Sequence, residues 1–100
     1  MSPPETLLPQ LLTLVCDLYE DTEGFSARTE DAQLWYNRGY ANGMVEALRE
    51  LGFLPQLEAL IEPDPDDVVA GHELLPWGKA YAHGHTKGRR ETHEVMGRGA

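Results

Sequence analysis

The stretch "YNRGYANGMVEAL" (Tyr36–Leu48) has the character of a helix interior yet carries two glycines, Gly39 and Gly43. Each costs roughly 1 kcal/mol relative to alanine inside a helix, so some contact must offset them. A second stretch, "KAYAHGHTKGRRE" (Lys79–Glu91), has the same character, with Gly84 and Gly88. Setting residue i against i+41 aligns Tyr40 with Tyr81, Ala41 with Ala82, Gly43 with Gly84, Arg49 with Arg90 and Glu50 with Glu91. Small residues recur every four positions in both: Gly39, Gly43 and Ala47 in the first, Ala80, Gly84 and Gly88 in the second. On a helix that spacing makes a strip free of side chains, along which a second backbone approaches inside the usual ~8–10 Å axial separation. Tyr36, Tyr40, Trp77 and Tyr81 flank the strips.

Two arrangements satisfy this pattern. The strips face each other within one chain and make the two long helices a core pair, or the strip of the last helix lies at the twofold interface of a homodimer. Glycines that clear room for a ligand or phosphate are the weaker reading, because phosphate loops place glycine before a helix rather than inside it.

The rest of the chain also reads as helix. Leu7, Leu8, Leu11, Leu12, Val15, Leu18 and Tyr19 recur at three- and four-residue spacing, which predicts a helix starting near Thr6 or Leu8, with Pro9 in its first turn and Gly24 past its end. Thr29 is the expected N-cap of the second helix, followed by Glu30 and Asp31 at the positive end of its dipole, and Gly52 is the expected stop. "PQLEALIE" predicts a short helix with Pro55 at its first position. Asp64–Pro65 offers a cap and first-position pair for one or two further turns around Val68 and Val69, and Pro76 opens the last helix. No alternation of β-branched residues marks a strand. The expected fold is all-α: one domain over residues 1–100, a bundle of four or five helices. Its two long glycine-containing helices, at about 29–51 and 76–96, pack closely, and 97–100 form a frayed tail.

The composition is that of an ordinary globular chain, 41% hydrophobic and 25% charged. The longest apolar run, "LLTLV" (Leu11–Val15), is far below the ~18 residues of a membrane span, and "MSPPE" lacks the basic region of a signal peptide. With a single cysteine, Cys16, on an apolar helix face and no partner for a disulfide, a cytoplasmic location is expected. Charge is uneven: residues 1–76 carry −12 and residues 77–100 carry +3, for a net −9.

Candidate chemistry is sparse. His85 and His93 lie eight residues apart, roughly 12 Å along a helix, too far to share an ion; no H-E-x-x-H or Cys-His spacing exists, and no metal or other cofactor is expected. Glu46, Glu50, Glu58 and Glu62 invite comparison with all-α nucleotide pyrophosphatases, but their spacing fits solvated helix faces better, and no catalytic residue is assigned. Lys79, His83, Lys87, Arg90 and Glu94 form one stripe on the last helix, widened by Arg89 and His93. The stripe suits pairing with the acidic remainder of the chain or with a second copy. A phosphate backbone is a lesser alternative, since the net charge repels nucleic acid. The acidic segments "YEDTEG", "RTED" and "IEPDPDDVV" form the opposite surface, of a kind that either imitates the charge of DNA or confers solubility.

The phrases "LWYNRGYANGMVEALRELG" and "WGKAYAHGHTKGRRETHEVMG" resemble small accessory proteins of bacteriophages that infect actinobacteria. The shared pattern is an aromatic–x–x–Gly–Tyr–x–x–Gly helix followed by a second glycine-containing helix. The resemblance implies a host-cell setting and a role in binding and redirecting a host protein; it supplies no catalytic residues. The sequence therefore predicts a non-enzymatic interaction protein without cofactor or membrane association. Its partner surface is expected at Trp77, Tyr81, Lys87 and Arg90, residue types that dominate binding hot spots, with Trp35, Tyr36 and Tyr40 in the core. The rivals are a nucleic-acid-binding module using the last helix and a metal-dependent nucleotide hydrolase.

Overall fold

The computed structural model describes residues 4–65 and 67–98. Helix α1 spans Pro4–Asp21, α2 Ala32–Glu50, α3 Leu54–Glu58 and α4 Pro76–Arg98, with a short 3₁₀ turn at Phe25–Ala27 after α1. No strand occurs among the described residues. The fold is an all-α bundle built around α2 and α4.

These two helices run parallel, and their glycines set the contact. A methyl carbon built on Gly39 would lie 2.1 Å from the carbonyl oxygen of Tyr81, and one on Gly43 would lie 2.1 Å from that of His85. The relation is reciprocal: Gly84 faces the Tyr36 carbonyl oxygen at 2.1 Å and Gly88 faces that of Tyr40 at 2.2 Å. Each glycine thus turns a Cα hydrogen toward a carbonyl oxygen of the other helix, a weak hydrogen bond worth about 0.5–1 kcal/mol. The strips therefore meet within one chain. Ala47 is fully buried, while Ala80 packs half-buried against the cluster around Trp35.

The pairing register is 45 rather than 41. It matches Tyr36-x-x-Gly39-Tyr40-x-x-Gly43 with Tyr81-x-x-Gly84-His85-x-x-Gly88. The offset of 41 maximised residue identities but placed the helices one turn out of step; height along the common axis, not identity, decides which backbones meet.

Parallel helices cannot be joined by a tight turn, so residues 51–75 cross from the end of α2 back to the level of its start. Gly52, at φ +93°, turns the chain out of α2. Farther on, Gly78 admits the His72 carbonyl oxygen where a side chain would stand, at 2.0 Å. This brings the end of the crossover down onto α4.

Two apolar clusters flank the helix pair. In one, Val15 of α1, Met44, Val45 and Leu48 of α2 and Leu57 of α3 are buried, with Leu8, Leu11, Leu12 and Leu18 packed around them. Fully burying a side chain of this size stabilises by roughly 1.5–3 kcal/mol. In the other, Phe25, Trp35 and Tyr81 are buried beneath Leu34, Val68, Val69 and Trp77. The Trp35 ring lies 4.9 Å from Phe25 and 4.3 Å from Trp77, and its indole N–H donates to the Arg28 carbonyl oxygen at 3.1 Å. Tyr36 and Tyr40, expected in the core, are half-buried.

Several boundaries differ from those the sequence suggests. Helix α1 begins at Pro4, so Pro9 lies inside it rather than in its first turn; the leucine face, which packs on α2, outweighs the one backbone bond proline cannot make. Asp31, not Thr29, caps α2 by accepting from the Leu34 N–H at 3.1 Å. Pro55 stands at the second position of α3, whose N-cap is Phe53. Among the described residues the stretch around Val68 and Val69 forms hydrogen-bonded turns over 67–71 rather than a helix, and the Asp64 carboxylate, expected as a cap, is bound to Arg38 instead. Helix α4 continues through Gly97 to Arg98; the rest of the expected frayed tail, residues 99–100, lies outside the described residues.

Gly43→Ala is expected to destabilise the protein by about 2–4 kcal/mol despite its gain in helix propensity, because the new methyl group meets α4 backbone at His85 and Arg89, which cannot give way as a side chain would. Gly97→Ala, where nothing lies within 4 Å, is expected to be neutral or slightly stabilising. Urea unfolding of both variants checks the pair.

Candidate functional site

The inner and outer faces of α4 divide the residues expected to form a partner surface. Trp77 turns inward against Trp35 and stacks near His72, with ring centroids 5.1 Å apart. Tyr81 is 7% exposed, and its hydroxyl accepts from the Asn42 amide at 2.9 Å. Lys87 and Arg90 lie on the solvent side. The structure thus groups Trp77 with Tyr81 and, apart from them, Lys87 with Arg90.

The outer row is longer than that pair. Lys79, His83, Lys87 and Arg90 are all exposed, at the one-turn spacing that keeps them on one face. Lys79, Lys87 and Arg90 make no ion pair among the described residues. Arg89 and His93, which widen the stripe, turn toward α2 and hold Glu50: Arg89 donates through Nε and Nη2 to the two carboxylate oxygens at 2.8 Å each, and His93 Nε2 lies 2.9 Å from Oε1. The expected pairing of the stripe with the acidic remainder of the chain is therefore made by these two flanking residues alone among those described. The row begins with an apolar pair that the sequence reading missed, Leu74 at 84% exposure and Leu75 at 43%. Two leucines directly before Pro76, outside any periodic run, were its signal in the sequence.

A second feature is a half-open cleft of about 430 Å³ where α2, α4 and the crossover meet. Asn42, Asp64 and Tyr81 line it, with Val45, Leu54, Pro63 and Pro65 as apolar wall. Glu46, Arg49, Glu50, His85 and Arg89 complete the lining. Glu46 and Arg49 pair with each other, as do Glu50 and Arg89.

Behind the cleft runs a polar belt that the sequence reading did not anticipate. Arg38, 8% exposed, donates through Nε to Asp64 Oδ2 at 2.7 Å and through Nη2 to Oδ1 at 3.2 Å. Its Nη1 reaches the Tyr19 carbonyl oxygen and the buried Thr22 hydroxyl, each at 3.0 Å, and its guanidinium lies 3.6 Å over the Tyr19 ring. Asn42 donates to Asp64 Oδ2 at 2.8 Å and accepts from the Tyr19 hydroxyl. That hydroxyl in turn accepts from the Asp64 backbone N–H at 3.1 Å. The belt fastens the crossover to α1, α2 and α4.

Ionisation follows these contacts. Glu50 is pulled down to about 2, first by hydrogen bonds from Arg89 and then by those from His93, and Arg89 is raised reciprocally. Burial pushes Tyr40 up to about 12, reinforced by its hydrogen bond to Glu91. Tyr81 rises to about 12 and Tyr19 also rises, both chiefly through burial. Among the described residues no group of three His, Cys, Asp or Glu side chains is placed to hold a metal ion, and no helix is long and apolar enough to cross a membrane. Glu58 and Glu62 are exposed and lie outside the cleft. In comparison with known proteins, no family model, no curated protein and no solved structure matches this chain significantly.

Because Glu50 has a depressed pKa in the folded chain, its contribution to stability is present above about 4.5 and lost as pH falls toward about 2. The urea midpoints of wild type and Glu50→Gln are expected to differ at pH 7 and to converge near pH 2. A difference that stays constant would show that the Glu50–Arg89–His93 clip does not hold in solution.

Proposed function

We propose that the protein acts by binding another protein through the outer face of α4, without chemistry of its own. The observation that carries this reading is the exposed row Leu75, Lys79, His83, Lys87 and Arg90, on a chain otherwise strongly acidic. A row of cations attracts an acidic surface and speeds encounter with it. The leucines at its start, Leu74 above all, supply apolar anchors that a phosphate backbone does not use. With the resemblance to phage accessory proteins, the reading is of a host protein with an acidic groove or helix as partner. Lys87 and Arg90 remain in the proposed surface, joined by Leu74, Leu75, Lys79 and His83. Trp77 and Tyr81 support the row from beneath.

The unpaired cations also favour a second reading, nucleic-acid binding along the same row. The two separate on salt and on the leucines. Affinity for duplex DNA falls by orders of magnitude as salt rises and is indifferent to the uncharged change Leu74→Ser. Capture of a protein partner from host lysate is expected to persist at about 0.15 M salt, to yield one dominant species, and to be lost in both Leu74→Ser and Lys87→Glu/Arg90→Glu. Tight binding to random-sequence DNA, unchanged by Leu74→Ser, would overturn the protein-binding reading.

A further inference from the structure

The hydrogen bonds around Asn42 can be followed donor by donor. Its Nδ2 lies 2.8 Å from Asp64 Oδ2. An ionised carboxylate only accepts, so the nitrogen of the amide faces that side and the oxygen faces Tyr19. The Tyr19 hydroxyl accepts from the Asp64 N–H and donates to Asn42 Oδ1. The second N–H of Asn42 then goes to the Tyr81 oxygen at 2.9 Å. Tyr81 accepts that bond, and its own hydroxyl proton has no protein acceptor among the described residues. The side chain is more than nine-tenths buried, holds its proton at neutral pH, and lines the cleft. Burying a hydroxyl whose donor is unspent is costly unless something meets it.

The surroundings define what would meet it. Asp64 lines the same cleft, and its Oδ1 accepts one bond among the described residues, the 3.2 Å contact from Arg38, so it keeps acceptor capacity. Asn42 Nδ2 bonds both Tyr81 Oη and Asp64 Oδ2, which brings the Tyr81 hydroxyl beside the Asp64 carboxylate; Oδ2 is taken by Asn42 and Arg38, and Oδ1 of the same group is the acceptor with capacity left. The charges around them are already matched: Asp64 with Arg38, Glu50 with Arg89, Glu46 with Arg49. Such a lining gives no net attraction to an ion, and a cleft of about 430 Å³ falls in the range of small-molecule sites.

We propose that this cleft binds small uncharged molecules that present a carbonyl oxygen beside an N–H. The carbonyl accepts from the Tyr81 hydroxyl and the N–H donates to Asp64. Lactams and nucleobases carry this edge in a ring, primary amides in an open form. The site is distinct from the outer face of α4, so the failure of either reading leaves the other standing.

The test is an NMR titration of the ¹⁵N-labelled full chain with uracil, 2-pyrrolidinone and acetamide, following the side-chain amide of Asn42. A saturable shift with at least one probe is expected. Response to the two ring compounds alone points to a nucleobase-like ligand, and response to acetamide as well points to any amide; both support the site. Tyr81→Phe, checked for folding by circular dichroism, is expected to weaken binding about tenfold, the effect of one lost hydrogen bond. N-methyl-2-pyrrolidinone, which keeps the carbonyl and lacks the N–H, tests the Asp64 half without altering the protein, and a comparable loss is expected. The proposal is overturned if no probe shifts Asn42, or if N-methyl-2-pyrrolidinone binds as well as its parent.

Discussion

The close passage of two backbones, α2 against α4, is the constraint from which the rest of the structure follows. Four glycines remove the side chains that would hold the helices apart, and four carbonyl oxygens, those of Tyr36, Tyr40, Tyr81 and His85, fill the space. Each Cα–H···O contact is weak, yet the approach also brings backbone atoms into continuous dispersion contact. The loss in helix propensity is thereby offset. The helices in this contact are parallel, with their dipoles aligned side by side, an arrangement less favourable than the antiparallel one. Cross-helix links near both ends, the Trp35–Trp77 stack and the Glu50–Arg89–His93 clip, hold the pair in that sense.

Parallel helices need a long return path, and a long path carries backbone polar groups across the protein surface. The belt around Arg38 meets this need. Asp64, in the crossover, is fixed by Arg38 and Asn42 of α2, while its own N–H is taken by Tyr19 of α1. A buried ion pair of this kind adds little net stability when complete and costs several kcal/mol when one partner is removed. Its effect is to fix one path for the crossover among many. The cleft exists because that path passes beside α2 and α4 without closing over them.

Much of this was legible in the residues. The all-α class followed from spacing and from the absence of strand patterns, and the glycine strips named the two helices that matter. The register did not follow, because a one-turn shift leaves the periodicity of a helix unchanged. Direction was hidden too, since a strip of small residues suits parallel and antiparallel neighbours alike. Asp64 was misread for a local reason: an Asp before a Pro looks like a helix cap, and nothing nearby in the chain announces an arginine twenty-six positions upstream. Of the residues marked for a partner, Lys87 and Arg90 lie on the solvent face while Trp77 and Tyr81 face inward. Hot-spot residue types are also core residue types, and composition alone does not separate them.

The register of 45 carries one more consequence. Reciprocal contacts, Tyr36 to Gly84 and Tyr81 to Gly39, are those a twofold axis between two identical helices would generate. The chain holds both halves of what elsewhere is an association between separate molecules. Such an association weakens on dilution, whereas halves joined by residues 51–75 meet at an effective concentration set by the tether, on the order of millimolar for short flexible linkers. The helix pair is thus insulated from its own abundance: a few copies per cell assemble it as completely as many.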